Sequence, residues 1–200
     1  MKIIYVTQQQ RIIGDKQEYF NRLLSDHPDG IIIREKYLSD DMLAKFAEPI
    51  IKLGKRYDVP IILRGTPQLA RRLGINHLQL SFQEAMSMEL PSDFKSIGVS
   101  VHKLSEAIEA EKHGASRVNY GHVFASPCKP GLPPRGIAAL DEIVQACEIP
   151  VYAIGGITLE TLPFLLPVNI AGSCLMSASM IDSHPETLTT RIRMMLEQSA

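Results

Sequence analysis

The chain has 200 residues, 45% of them hydrophobic, and a formal net charge of −1; that suits one well-cored domain over residues 1–200 and is short for two. So neutral a balance exerts no nonspecific pull on nucleic acid or a membrane surface, and the basic pairs Lys55-Arg56 and Arg71-Arg72 read as solvated helix faces. Cys128, Cys147 and Cys174, widely spaced and without a CxxC, argue against a disulfide framework or zinc site, and no apolar run approaches the roughly 18 residues of a membrane span, so a cytoplasmic protein is expected.

Ile3 to Thr7 is a β-branched and aromatic run and predicts a buried strand, followed by a helix around Asp15–Leu24. Ile31 to Ile33 is a second strand ending in Arg34-Glu35-Lys36. Ser39 caps the next helix, in which Pro49 marks a kink or a break. A third strand spans Pro60 to Leu63 and ends at Arg64-Gly65-Thr66; a short helix to Leu73 follows, with Gly74 as its C-cap. His77 to Leu80 is a weaker fourth strand, and residues 82–94 hold only a short helix. Ile97 to His102 is the fifth strand, Ser105 caps a helix through His113, and Arg117 to Phe124 is the sixth. The connection Ala125–Arg135 exceeds the usual length of about 2–6 residues. A helix from Ile137 to Cys147, a seventh strand over Pro150–Ile154, a short helix from Thr158, an eighth strand over Gly172–Ser177 and a helix opened by Pro185 complete the chain.

Apolar strands flanked by helical stretches are what a parallel sheet buried on both faces requires, and eight such units predict a single (β/α)8 TIM barrel. A doubly wound open sheet is the alternative. The barrel demands that active residues gather at the C-terminal ends of strands. Arg34, Lys36, Arg64, Ser100, His102 and His122 all fall at such ends, as do Gly155-Gly156 and Met176-Ser177. Glycines after the seventh strand let a backbone approach an anion, and amides after the eighth can donate to it, so these neighbouring ends predict a phosphate cup. A tight turn at positive φ would also explain the glycines.

His122, set before the long loop, is the candidate proton carrier, because an imidazole both takes and returns a proton near neutral pH. Of the other histidines, His27, His113 and His184 read as solvent-facing, while His77 and His102 stay open. Cys128 precedes Lys129 but has no adjacent histidine, so a thiol nucleophile is not the favoured reading. No metal site is expected, because the ends of strands three, four and six lack carboxylates, and Glu35 should point away from its basic neighbours.

Arg34-Glu35-Lys36, Gly98-Val99-Ser100-Val101-His102, Gly155-Gly156-Ile157 and the end of the eighth strand together resemble the thiamin phosphate synthase superfamily of small (β/α)8 barrels. Gly121-His122-Val123-Phe124, then Cys128-Lys129, Gly131 and Arg135-Gly136, resemble more narrowly its thiazole tautomerase (TenI-type) branch. Synthases of the superfamily carry Asn-Asp after strand three and an acidic segment after strand four that serve pyrophosphate and magnesium. Here those places read Arg64-Gly65-Thr66 and Gln79-Leu80-Ser81-Phe82-Gln83, and strand one ends Thr7-Gln8 where the family often has Thr-Asp. The resemblance implies an isomerase without cofactor that aromatises a carboxylated dihydrothiazole phosphate. His122 would be catalytic, and Arg34, Lys36, Ser100, Lys129, Gly155, Gly156, Met176 and Ser177 would bind substrate. A metal-dependent synthase and a non-catalytic phosphate-ligand-binding regulator are the alternatives. The expected partner is the small phosphorylated thiazole, with no nucleic acid and no membrane; a homo-oligomer is left open.

Overall fold

The computed structural model describes residues 1–199. Its strands are β1 (Lys2–Val6), β2 (Gly30–Ile33), β3 (Ile61–Arg64), β4 (His77–Ser81), β5 (Ser96–Val101), β6 (Arg117–Gly121), β7 (Val151–Ile154) and β8 (Gly172–Leu175). They run parallel and close in sequence order, with β8 pairing back onto β1 through Tyr5 and Leu175. The helices are α1 (Lys16–Ser25), α2 (Asp40–Tyr57), α3 (Pro67–Leu73), α4 (Phe82–Met86), α5 (Leu104–Lys112), α6 (Gly136–Ala146), α7 (Ser177–Met180) and α8 (Leu188–Gln198). This is the predicted (β/α)8 barrel, and the open-sheet alternative is excluded by the closing pair. Among the described residues no helix is long and apolar enough to cross a membrane.

Alternation along each short strand divides the side chains into two populations. Outward residues such as Ile31, Ile33, Leu63, Leu78, Val99 and Val118 form the main core with the helices, whose contributions include Phe20, Leu23, Leu24 and Ile50. A smaller apolar cluster of Ile4, Val6, Ile32, Ile62, Tyr152 and Cys174 fills part of the barrel interior. Both faces of each strand are thus covered, which is why the strands read as continuous apolar runs.

Several boundaries differ from the sequence expectation, each for a local reason. Pro49 neither breaks nor divides α2, because Leu43, Ala47, Ile50 and Gly54 bury one face along its length. Ser105 is not the cap of α5; the N-cap is Lys103, and the Glu106 carboxylate instead accepts from the His102 amide at 2.8 Å. β6 stops at Gly121, so His122 is the first residue of the connection. Val123 and Phe124 still donate to the Ile154 and Gly155 carbonyls of the adjoining chain. Thr158 does not start an α-helix: its side chain and that of Thr161 organise a turn before the 3-10 segment Leu162–Leu165. β8 ends at Leu175, and Pro185 opens a 3-10 turn that leads into α8.

Candidate functional site

The strand ends enclose a cavity of about 550 Å³ lined by residues that follow or end β2 through β8. His122 lies in its wall and is only 7% exposed. Its Nε2 sits 3.0 Å from the Pro133 carbonyl oxygen. A carbonyl only accepts, so in the neutral ring Nε2 carries the hydrogen and Nδ1 is left as the basic nitrogen. The long loop that supplies Pro133 is fastened at both ends, Arg135 donating to the His122 carbonyl and Gly136 to that of Val123, each at 3.0 Å. His102, left open by the sequence, stands at the rim with Nδ1 2.6 Å from the Gly121 carbonyl, the group just before His122. It therefore braces the segment that presents the imidazole.

The two glycines after β7 serve this same segment. Gly155 (φ +99°) faces His122 so closely that a Cβ would come within 2.5 Å of the histidine Cβ. Gly156 (φ +68°) abuts Phe124 and the Ala125 carbonyl. Side chains at either position would collide with the loop and demand strained backbone. Gly155 lines the cavity; Gly156 lies behind it, outside the lining.

The opposite wall is cationic. Arg34, Lys36, Arg64 and Lys129 all line the cavity. Burial, followed by repulsion from Arg64, pushes the Arg34 pKa down. The Lys36 pKa is lowered first by Arg34, then by burial and by Lys129. Among the described residues, Arg34, Lys36 and Lys129 join no ion pair. Crowded like charges without counter-ions favour an anionic ligand. Ser100 and Met176 also line this space, so seven of the nine residues expected from the sequence, His122 included, share one cavity. Ser177 lies outside it, its hydroxyl 3.2 Å from Cys128 Sγ and 3.3 Å from Gln8 Oε1, which ties the loop to the end of β8.

The carboxylates nearby are already engaged. Glu84 grips Arg64 at 2.8 Å and accepts from both the amide and the hydroxyl of Ser81, which caps α4. Its pKa is lowered; burial alone would raise it, and the Ser81 and Arg64 contacts outweigh that. Glu35 also lines the cavity; it is 5% exposed, accepts from the Gln9 amide at 3.0 Å, and burial raises its pKa. Asp40 accepts from the Thr66 hydroxyl. Among the described residues no three His, Cys, Asp or Glu side chains come together to hold a metal ion. The cavity carboxylates Glu35, Asp40 and Glu84 already accept from Gln9, Thr66, and Arg64 with Ser81, a poor fit to a divalent cation, which takes unengaged carboxylate oxygens.

Arg64 was expected at the rim but given no binding role, and Glu84, Asn119 and the buried Arg117 were not among the expected site residues. The signal for the last two was available: Arg117 and Asn119 sit two apart in a strand, on the face that alternation turns into the barrel.

Residues 3–179 match a family model described as thiamine monophosphate synthase, and the chain belongs to that family. It is 32% identical to the thiamine-phosphate synthase of Pyrococcus abyssi over 172 residues, covering 84% of this chain and 83% of that one. It is 28% identical to the enzyme of the same name from Roseiflexus castenholzii, covering 94% and 85%. Among solved structures, thiamine phosphate pyrophosphorylase from Pyrococcus furiosus superposes with a TM-score of 0.85 at 25% identity, covering 99% of this chain and 96% of that one.

Proposed function

We propose that this member of the thiamine monophosphate synthase family is a thiazole tautomerase. The observation that carries the reading is His122: a buried imidazole in the cavity wall with Nε2 committed to Pro133 and Nδ1 left as its basic nitrogen, in a cavity that Arg34, Lys36, Arg64 and Lys129 also line. The substrate would be the carboxylated dihydrothiazole phosphate. His122 removes the proton from the ring carbon that bears the carboxylate and returns a proton to the exocyclic carbon, so the double bonds move into the ring. Atoms balance without a co-reactant, and aromatisation supplies the driving force. The negative charge that develops as the proton leaves would be stabilised by cations near the carboxylate, a role for Arg34 and Lys36, which line the cavity. The ends of β7 and β8 would take the phosphate, and Lys129 on the loop would cover it.

A transferase is the second reading, and the names of the relatives favour it: those described above are thiamine-phosphate synthases or a pyrophosphorylase. Against it stands the cavity chemistry. Glu84 is held by Arg64 and Ser81 and Glu35 by the Gln9 amide, so the carboxylates of the cavity are engaged by the protein rather than free to hold a metal for a pyrophosphate leaving group.

Purified protein without magnesium, given the dihydrothiazole carboxylate phosphate, should raise aromatic absorbance well above the protein-free rate. No acceleration would sink the tautomerase. Coupling of the thiazole phosphate to the pyrimidine pyrophosphate, with magnesium added, would establish the transferase instead.

A further inference from the structure

Beneath the cavity, side chains from three strands meet where their registers align. Gln79, Gly98 and Arg117 are partners across β4, β5 and β6; Ser81, Ser100 and Asn119 form the next row toward the mouth. Gly98 leaves room for its neighbours to close over it: a Cβ there would strike Gln79 Oε1 and stand 2.7 Å from Arg117 Cζ. Arg117 is 7% exposed and joins no ion pair among the described residues. Neutral acceptors hold it instead: Ser96 Oγ at 2.8 Å, Gln79 Oε1 at 3.1 Å and the Leu78 carbonyl at 3.3 Å. Burial lowers its pKa, yet a guanidinium stays charged and can only donate.

That constraint sets every direction above it. The Gln79 atom facing Arg117 must be the amide oxygen, so Nε2 faces Ser100 and donates to its Oγ at 3.0 Å. The Ser100 oxygen therefore accepts from below. Its own hydrogen finds no acceptor among the described residues, and Ser100 lines the cavity. We propose that Arg117 and Gln79 are positioning residues that fix Ser100 as a donor toward an anionic oxygen of the ligand. A serine hydroxyl can donate once and accept twice; here the buried cation, acting through Gln79, turns its hydrogen away from the strand interior. The identity of that ligand as the thiazole carboxylate phosphate rests on the function proposed above, whereas the direction of the chain of hydrogen bonds does not.

Gln79→Glu tests this directly. A carboxylate at 79 gives Arg117 a counter-charge but cannot donate, so the Ser100 hydroxyl turns inward to it. Calorimetric titration with the aromatic thiazole carboxylate phosphate should show about tenfold weaker binding, the usual cost of a hydrogen bond to a charged group. Tm should not fall. Ser100→Ala should lose about as much, and adding Gln79→Glu to Ser100→Ala should lose nothing more. Wild-type affinity in Gln79→Glu overturns the proposal, as does a loss that multiplies in the double variant, since that would be plain charge repulsion. If Gln79→Glu does not fold, Gln79→Met replaces it, with a smaller loss that must likewise vanish on the Ser100→Ala background. The same series run with inorganic pyrophosphate separates the two claims. Binding of pyrophosphate but not of the thiazole phosphate defeats the tautomerase while still deciding the relay; binding of neither defeats both.

Discussion

The interior of the barrel has two unlike arcs. Strands β1, β2, β3, β7 and β8 turn Ile4, Val6, Ile32, Ile62, Tyr152 and Cys174 inward, an ordinary apolar filling. Strands β4 to β6 place Gln79, Ser100, Arg117 and Asn119 on the same inner surface. In the second arc Arg117 Nε and Asn119 Oδ1 are buried without a partner. An unpartnered buried polar atom costs about 1–3 kcal/mol, so the polar arc is the less stable way to fill the space. It leads up to His102 and His122, whereas the apolar arc ends beneath Arg34, Lys36, Gly155 and Met176. Both arcs carry cavity-lining residues at their ends, but only the polar one departs from ordinary core packing beneath them.

Substitutions that separate the arcs sharpen this contrast. The largest effect is expected on the polar side: His122→Gln should lower tautomerase turnover by roughly 10²–10⁴-fold, the usual worth of a positioned acid–base group. Its thermal midpoint should stay close to wild type. A variant with full turnover would move the proton transfer to another residue. On the apolar side Ile32→Ala, at a position 3% exposed, should cost about 2–5 kcal/mol in denaturant unfolding. Ligand affinity measured while the protein is still folded should be unchanged; a loss there would mean the arcs are mechanically coupled.

Smaller effects probe the rim. Lys36→Met removes one of the crowded cations, so anionic ligand should bind about tenfold more weakly while Tm holds or rises slightly. A fall in both would give Lys36 a structural role. The smallest change concerns Glu35, whose carboxyl is pushed above 4.5 by burial, with the Thr7 and Gln9 contacts pulling the other way. The folded chain then holds that proton more tightly than the unfolded one. Its stabilising contribution is complete below about 4.5 and is lost as pH rises through the raised value. Glu35→Gln should flatten the stability profile in that window, as read by urea midpoints across pH; an unaltered slope would assign the titration elsewhere.

The barrel and most of the cavity wall were legible in the chain. Short Ile- and Val-rich runs such as Gly30–Ile33 and Val151–Ile154 announce strands buried on both faces, and the residues just past them fall at one rim by topology alone. Boundaries were less legible where a single side chain decides them. Ser105 has the right residue type for a cap but lies one position inside α5, and Pro49 looks like a break but is overruled by the buried face of α2. Gly155 and Gly156 were read as a place for phosphate. Their positive φ was foreseen as the other explanation, but not that His122 and Phe124 would occupy the space beside them.

What the sequence determined by itself was periodic and local: eight strands, their order, and a histidine placed before a long loop. A run of apolar residues is a local feature of the chain and needs no partner to be read. Tertiary structure alone decided which atoms face one another across strands. The register that sets Gln79 beside Gly98 and Arg117, and the Pro133 carbonyl that selects the basic nitrogen of His122, both join residues distant in the chain. Hydrogen bonds have direction and reach only about 3 Å, so the chemistry of the site appears only when the barrel closes.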